Sequence, residues 1–194
     1  GRSGAMTGFT LHLLRHGAPE QPGLFLGRTD GAPTAEGIDA CIRQAANIEV
    51  ERLIASDLQR CACAAEAIGA ARNLSPTPDP RWRELDFGRW EGQAASAIPP
   101  DALGRFWTDP DASPPPGGER WSSLVARVSD AIDALAPADT LVVTHGGAMR
   151  AALHHLCGFD QRRLWAFDLP YAALLSLRIW RGDRPDAQII GLRA

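Results

Sequence analysis

The chain has 194 residues, 45% of them hydrophobic, which is enough for one domain to fold around its own core without disulfide or metal staples. Its formal net charge at pH 7 is −3, so the chain as a whole does not attract nucleic acid or anionic lipid. All 20 basic residues are Arg, and the lack of Lys excludes P-loop, Schiff-base and Ser-Lys chemistry but leaves phosphate binding open, because the arginine fork matches phosphate oxygens.

The residues before Met6, GRSGA, resemble a remnant of cloning, so we expect residues 6–194 to form a single domain. No apolar run approaches the roughly 20 residues that a membrane span requires. The pattern of a signal peptide, with basic, apolar and small-residue regions, is also missing. We therefore expect a cytoplasmic protein with no membrane partner and no nucleic-acid partner.

The first part of the chain predicts alternating strands and helices. Residues 9–14 are typical of a buried strand, and Thr34 is a suitable N-cap for a helix that ends at about Asn47. The short run RLIAS, residues 52–56, predicts a second strand. An Ala-rich helix over 57–72 follows it.

Prolines interrupt this pattern over residues 75–118, which we interpret as an insertion with short helical pieces over 94–107 that covers one edge of a site. A helix is predicted over 121–135, because its apolar residues recur with helical periodicity. The run TLVVTHGG, residues 140–147, predicts a strand. The remaining predictions are a helix over 149–157 and two final strands joined by a turn around 182–185.

This order of elements predicts an α/β fold: a three-layer α/β/α sandwich with a mostly parallel central sheet. Ligands of such sheets bind beyond the carboxyl ends of the strands. His16 and His145 each follow a predicted strand and each precede a glycine, Gly17 and Gly146, which lets a substrate approach the backbone closely. We therefore expect both rings at one site.

Two further segments supply charged side chains. Arg60, in SDLQR, falls in the first turn of the second helix, and Glu84, in RELDFGRWEG, falls in an irregular stretch. Two imidazoles, two guanidiniums from Arg15 and Arg60, and one carboxylate match what a phosphoryl transfer without metal requires: a nucleophile, cations and a proton donor.

The four Cys residues lack metal-ligand spacing and are predicted to be small buried hydrophobes. We expect no metal site and no cofactor.

The segments LLRHGAPE, SDLQR, RELDFGRWEG and VVTHGG resemble, in that order, the motifs of the histidine phosphatase superfamily, also called phosphoglycerate mutase-like. The resemblance implies the phosphoglycerate mutase-like fold and a phosphoric monoester hydrolase of the histidine acid phosphatase type. It implies that His16 forms a phosphohistidine and that Glu84 is the proton donor. The phosphoryl oxygens would then be held by Arg15, Arg60 and His145.

Three other segments, GRTDGAPTAEG, PPPGGERW and LWAFDLPYAAL, resemble the branch that contains α-ribazole phosphatases. The implied partner is a small phosphorylated metabolite, with α-ribazole 5'-phosphate as one candidate. Candidate substrate-binding residues are Gly17, Gly27, Arg28 and Gly146, although Arg28 could equally be a solvated loop residue.

Three alternatives stay open. A phosphoglycerate mutase must keep water from its phosphohistidine, and mutases that do so have a longer insertion and a C-terminal tail. This chain ends at Ala194 soon after its last predicted strand, which favours a phosphatase. A non-catalytic phosphate-binding module would be expected to lack the nucleophile or the acid, whereas His16 and Glu84 are both present. A metal hydrolase is disfavoured by the lack of HExxH spacing.

Overall fold

The computed structural model describes residues 8–182 and 186–194. In these ranges the strands are β1 (Phe9–Arg15), β2 (Arg52–Ala55), β3 (Thr77–Pro78), β4 (Thr140–Thr144), β5 (Leu174–Trp180) and β6 (Asp186–Arg193). The α-helices are α1 (Ala35–Ala45), α2 (Gln59–Ala70), α3 (Pro100–Thr108), α4 (Trp121–Asp133) and α5 (Gly146–Cys157). Short 3-10 helices cover Pro80–Trp82, Gly88–Trp90, Ala95–Ala97 and Gln161–Ala166.

The strands form one sheet in the order β3-β2-β4-β1-β5-β6. The pairs β3–β2, β2–β4 and β4–β1 are parallel, whereas β1–β5 and β5–β6 are antiparallel. The centre of the sheet is therefore parallel, as predicted, and the antiparallel pairs are confined to the last two strands. Because β4 has a strand on each side and helices on both faces, all of its residues, TLVVT, are buried.

Two separate hydrophobic clusters cover the two faces of the sheet. Leu11 and Leu13 of β1 pack with buried residues of α4 and α5, whereas Leu14 packs with buried residues of α1 and α2. Successive strand residues point to opposite faces, so a single strand contributes to both cores. The predicted three-layer α/β/α sandwich is confirmed.

The prediction of a strand over residues 140–147 is wrong at its C-terminal end. β4 stops at Thr144, His145 is the extended N-cap residue with φ −121° and ψ 159°, and α5 begins at Gly146, three residues before the predicted helix start at Met149. Glycine has a poor helix propensity, so the pair Gly146-Gly147 conceals a helix start in the sequence. The consequence is that the first free amides of α5 lie directly beside His145.

The other differences are small. Thr34 caps α1 as predicted, with its Oγ1 accepting from the Gly37 amide. The predicted ends of α1, α2 and α4 lie two residues beyond the observed ones, whereas α5 ends at Cys157 as predicted. The two-residue strand β3 was not predicted. Cys41 and Cys61 are buried as predicted, but Cys63 and Cys157 are only half-buried.

Two predictions fall outside the described residues: the cloning remnant over 1–5, and the turn around 182–185 except for Gly182. In the part of the chain that the structure describes, no helix is long and apolar enough to cross a membrane.

Candidate active site

The two histidines meet at the carboxyl edge of the sheet, as expected. Arg15 pairs with Thr144 at the ends of β1 and β4, and the amide of His16 donates to the Thr144 carbonyl oxygen at 3.0 Å. The residue that follows each strand is therefore a histidine, and both histidines lie at the same edge of the sheet. The centroids of the His16 and His145 rings are 5.2 Å apart, at an interplanar angle of 66°.

His16 has one ring nitrogen fixed and one without a hydrogen-bond partner in the described structure. Nδ1 donates to the Gly17 carbonyl oxygen at 2.8 Å, because a carbonyl only accepts, so the lone pair of the neutral ring is on Nε2. Burial, followed by the positive charge of Arg60 and Arg15, lowers the pKa of His16 to about 3. The ring is therefore an unprotonated base at neutral pH.

Gly17 is fixed by a close approach of two backbones. A Cβ at this position would lie 2.1 Å from the carbonyl oxygen of Gly37, in the first turn of α1. Only glycine fits this contact, which sets the position of the Gly17 carbonyl and hence of the His16 ring. Gly17 therefore acts on His16 through its backbone.

His145 is fully buried, and its Nε2 lies 2.8 Å from Ser56 Oγ and 3.4 Å from Cys61 Sγ. Burial, followed by the positive charge of Arg60, lowers the pKa of His145 well below its usual range. Sequence reasoning did not single out Ser56 as a site residue. The available signal was its position directly after β2, at the same edge as His16 and His145.

Arg60 is 1% exposed, and its terminal nitrogens hold a loop. Nη1 donates to the Thr29 carbonyl oxygen at 2.7 Å, and Nη2 donates to the carbonyl oxygens of Leu26 at 3.0 Å and Gly27 at 2.8 Å. Its buried Nε has no hydrogen-bond partner within the described residues. This buried Nε–H is therefore available to a ligand.

Arg15 shows the same pattern. Its Nη1 donates to the Leu169 carbonyl oxygen at 2.5 Å, its guanidinium carbon lies 4.5 Å from the centre of the Tyr171 ring, and its buried Nε has no partner in the ranges that the structure describes. A Cβ on Gly146 would lie 3.4 Å from this Nε. The charges of both arginines act on His16, and Arg15 lies beside the start of α5. Unpartnered guanidinium donors and a helix start favour an anion.

Glu84 lies against the first turn of α5. Its Oε1 accepts from the Leu85 amide at 2.8 Å, and its Oε2 accepts from the Gly147 amide at 3.0 Å. A Cβ on Gly147 would lie 2.0 Å from Oε1, so a side chain there would displace the carboxylate. Sequence analysis gave the second glycine of THGG, Gly147, no role, whereas the structure shows that it leaves space for Glu84.

The irregular segment that carries Glu84 is held by Arg127 of α4. Nη1 of Arg127 donates to the Arg81 and Arg83 carbonyl oxygens, Nη2 donates to that of Glu84, and the same guanidinium pairs with Glu119 at 2.8 Å. Sequence reasoning did not single out Arg127. A carboxylate in a stretch without regular structure therefore has a fixed backbone.

A cavity of about 310 Å³ adjoins this site. Its polar lining includes Arg15, Glu84 and the glycines at the start of α5, and the aromatic residues in its wall are Phe87, Phe106, Trp107, Trp121 and Trp165. His16 does not line the cavity. Phe106 and Trp107 belong to α3, so the insertion covers one edge of the site, as expected.

Arg150 was also missed. It lies one helical turn after Gly146 on α5 and lines the cavity, with its guanidinium carbon 4.1 Å from the centre of the Trp165 ring. Its Nη2 donates to the Phe167 carbonyl oxygen at 3.1 Å. Spacing of four residues on a helix places side chains on one face, which was the available signal.

Gly27 and Arg28 do not line the cavity. Gly27 is buried and contributes its carbonyl to Arg60, whereas the Arg28 side chain is exposed.

Among residues 8–182 and 186–194, no group of three or more His, Cys, Asp or Glu side chains is arranged to hold a metal ion.

Residues 11–189 match the model of the histidine phosphatase superfamily (branch 1), and the chain belongs to this superfamily. The resemblance found in the four sequence motifs is thus confirmed. Membership defines a class of phosphoryl-transfer proteins and leaves the substrate undefined.

Three similar proteins carry different names. A protein of Hydrogenobacter thermophilus (strain DSM 6534 / IAM 12695 / TK-6), provisionally named phosphoserine phosphatase 2, is 25% identical over 87% of this chain and 89% of its own. A protein of Yersinia pestis (strain Pestoides F), provisionally named phosphoglycerate mutase GpmB, is 28% identical over 79% of each chain. The α-ribazole phosphatase of Shigella flexneri superposes with a TM-score of 0.79 at 22% identity, over 96% of this chain and 100% of that one, which confirms the expected fold.

The lowered pKa of His16 predicts a loss of stability in acid. Between the usual pKa of 6.5 and the folded pKa of about 3, the unfolded chain binds a proton at this ring and the folded chain does not, so the free energy of unfolding falls as the pH falls. His16→Gln should remove up to about 1.4 kcal/mol of this fall per pH unit. Urea unfolding of both proteins from pH 7 to pH 4 measures the difference, and parallel pH profiles would contradict the prediction.

Proposed function

We propose that the chain is a phosphomonoesterase that acts through a phosphohistidine on His16, a phosphoric monoester hydrolase of the histidine acid phosphatase type. The observation that carries the proposal is the state of this ring. Its Nδ1–H is tied to the Gly17 carbonyl, its Nε2 has a free lone pair, and its pKa of about 3 keeps it neutral. A neutral imidazole beside two arginines is suited to attack a phosphoryl group.

In the first step, His16 Nε2 forms a bond to phosphorus while the bond from phosphorus to the leaving oxygen breaks. Glu84 gives its proton to that oxygen, so an alcohol departs. In the second step, water gives a proton to Glu84 and its oxygen bonds to phosphorus, which releases His16 and inorganic phosphate. The Nε groups of Arg15 and Arg60, with His145, would stabilise the charge on the equatorial oxygens.

Glu84 is a better acid candidate than the two carboxylates that follow it in the same motif. Glu84 lines the cavity, whereas Asp86 and Glu91 do not. Asp86 Oδ1 accepts from the Gly88 amide. Both oxygens of Glu91 accept from donors in the loop of residues 26–29 and from the Phe87 amide.

The cavity supports a substrate whose leaving group carries an apolar ring. Trp107 and Trp165 form an edge-to-face pair with centroids 5.1 Å apart, and they are 43% and 49% exposed. Such aromatic faces suit α-ribazole 5'-phosphate, which joins a heteroaromatic base to a ribose phosphate. A phosphoglycerate mutase is the second candidate because of the Yersinia relative.

The nucleophile is tested by trapping. Quenching the working enzyme in base should retain phosphate on His16, since a phosphoramidate survives base better than acid, and His16→Ala should abolish turnover with an unchanged circular dichroism spectrum. Peptide mapping locates the label. A label on another residue would refute the assignment to His16, and no label with any phosphomonoester would favour a non-catalytic phosphate-binding module.

The acid is tested by its dependence on the leaving group. An alkoxide needs a proton to depart and a nitrophenolate hardly does, so Glu84→Gln should slow phosphorylation by an alkyl phosphate about 10²–10⁴-fold. The loss with p-nitrophenyl phosphate should be much smaller, measured as the burst that precedes steady turnover. The steady rate should fall with both substrates, because the same carboxylate activates water. Equal losses in the burst would show that Glu84 only positions the substrate.

The leaving-group site is tested with a panel of α-ribazole 5'-phosphate, sugar phosphates, nucleotides and 3-phosphoglycerate. We expect Trp165→Ala to raise KM for the ring-bearing substrate about tenfold, the scale of one lost stacking contact. The KM for glycerol 2-phosphate, which is too small to reach this wall, serves as the control and should not change. Phosphoryl transfer to added phosphoglycerate in place of hydrolysis would favour the mutase.

A further inference from the structure

We infer that Glu91 is a positioning residue for Arg60, and that it acts through the loop of residues 26–29 that lies between them. The inference rests on the proposed function, because it assigns Arg60 a role in binding the phosphoryl group. Glu91 belongs to the same sequence motif as Glu84 but does not line the cavity. Its contacts explain what it does instead.

The carboxylate of Glu91 accepts hydrogen bonds from one side of the loop. Oε2 accepts from the Gly27 amide at 3.0 Å and from the Thr29 hydroxyl at 2.7 Å, and Oε1 accepts from the Arg28 amide at 2.8 Å. The Phe87 amide adds a bond to Oε1 at 3.1 Å. Burial would raise the pKa of Glu91, but the bonds from Thr29, Gly27, Arg28 and Phe87 outweigh it and lower the pKa. The group is therefore held as a carboxylate.

Arg60 binds the other side of the same peptides. The carbonyl oxygens of Leu26, Gly27 and Thr29 accept from its two terminal nitrogens. The peptide between Leu26 and Gly27 directs its N–H to the Glu91 carboxylate and its C=O to the Arg60 guanidinium. The dipole of this peptide is thus aligned between an anion and a cation. Glu91 orients the peptide so that it stabilises the charge of Arg60, and Arg60 orients it so that it stabilises the charge of Glu91.

The loop has no space to shift toward Glu91. A Cβ on Gly27 would lie 2.1 Å from the Leu85 carbonyl oxygen and 2.4 Å from Glu91 Oε1, so the backbone is already in close contact on that side. Arg60 binds this loop through both terminal nitrogens, and we assign its buried, unpartnered Nε to the phosphoryl group. Because the guanidinium is rigid and planar, those loop bonds also fix where Nε points. The direction of Nε is therefore set by the loop, and the loop is set by Glu91.

Glu91→Gln tests the inference because it keeps the size of the side chain and replaces one acceptor oxygen with a donor NH2. Either orientation of the amide places that NH2 against at least two loop or Phe87 donors. Vanadate inhibits by mimicking the five-coordinate phosphorus of the transition state, so its binding reports on the cations around that group. A displaced Arg60 should lower kcat and weaken vanadate inhibition together, each by about 10- to 100-fold. KM should change less than threefold. The matched control is Glu66→Gln, an exposed glutamate on α2, the helix that carries Arg60.

A double-mutant cycle separates positioning from general destabilisation. Vanadate should inhibit Arg60→Ala and Arg60→Ala/Glu91→Gln equally, since Glu91 acts only through the missing guanidinium. If Glu91→Gln weakens vanadate inhibition further in the Arg60→Ala background, so that the two effects multiply, the inference is overturned. It is also overturned if the Glu91→Gln enzyme behaves like Glu66→Gln. If Glu91→Gln does not fold, Thr29→Val, which removes one of the bonds to Glu91, decides: a several-fold loss of vanadate inhibition supports the inference and no loss refutes it.

The same variants distinguish this inference from the proposed function. Calorimetric binding of inorganic phosphate needs no turnover, and it should be weaker in Glu91→Gln than in Glu66→Gln. An unaltered chain that binds phosphate but hydrolyses no phosphomonoester would refute the proposed function, and the phosphate affinities would still test Glu91. A chain that forms the phosphohistidine with unchanged kinetics in Glu91→Gln would refute the inference alone.

Discussion

The site depends first on the parallel pairing of β1 with β4. The register that places Arg15 opposite Thr144 ends both strands at the same level, so the next residues, His16 and His145, share one edge. The antiparallel strand β5 completes this geometry on the other side of β1, where the Arg15 amide donates to the Ala173 carbonyl at 2.9 Å. A shift of one residue would turn each side chain to the opposite face and separate the two rings.

The second constraint is electrostatic. The guanidinium of Arg15 donates to the backbone carbonyl of Leu169, and that of Arg60 donates to the carbonyls of Leu26, Gly27 and Thr29. Carbonyl oxygens satisfy the donors without neutralising the charge, whereas a carboxylate partner would do both. Each guanidinium thus retains its positive charge and one unpartnered Nε, and a phosphoryl group would supply what both lack.

The sequence predicted the layers, the central strands and the meeting of the two histidines, because these follow from local patterns: buried runs, helical periodicity and glycines after strands. It did not predict where β4 gives way to α5, since a glycine pair is a weak helix start. Nor did it single out Ser56, Arg127 or Arg150, whose contacts join segments distant in the chain. The role of Gly147 was likewise hidden, because the space it leaves is filled by Glu84 from another segment.

The same arginines account for two properties of the site that could otherwise seem in conflict. The proposed function needs positive charge to bind a phosphoryl group and an unprotonated histidine to attack it; Arg60 and Arg15 supply the charge and, after burial, are what lower the pKa of His16. The Gly17 carbonyl opposes this shift, but its main effect is to hold the proton on Nδ1. Because that bond leaves the other nitrogen free, transfer of a phosphoryl group to Nε2 would not disturb it. The resulting phosphohistidine ring would carry a positive charge. At that step the two guanidiniums would hold the negatively charged phosphoryl group, which is absent when His16 alone is protonated. The bound anion would therefore relieve the repulsion between the ring and the guanidiniums when the ring becomes cationic.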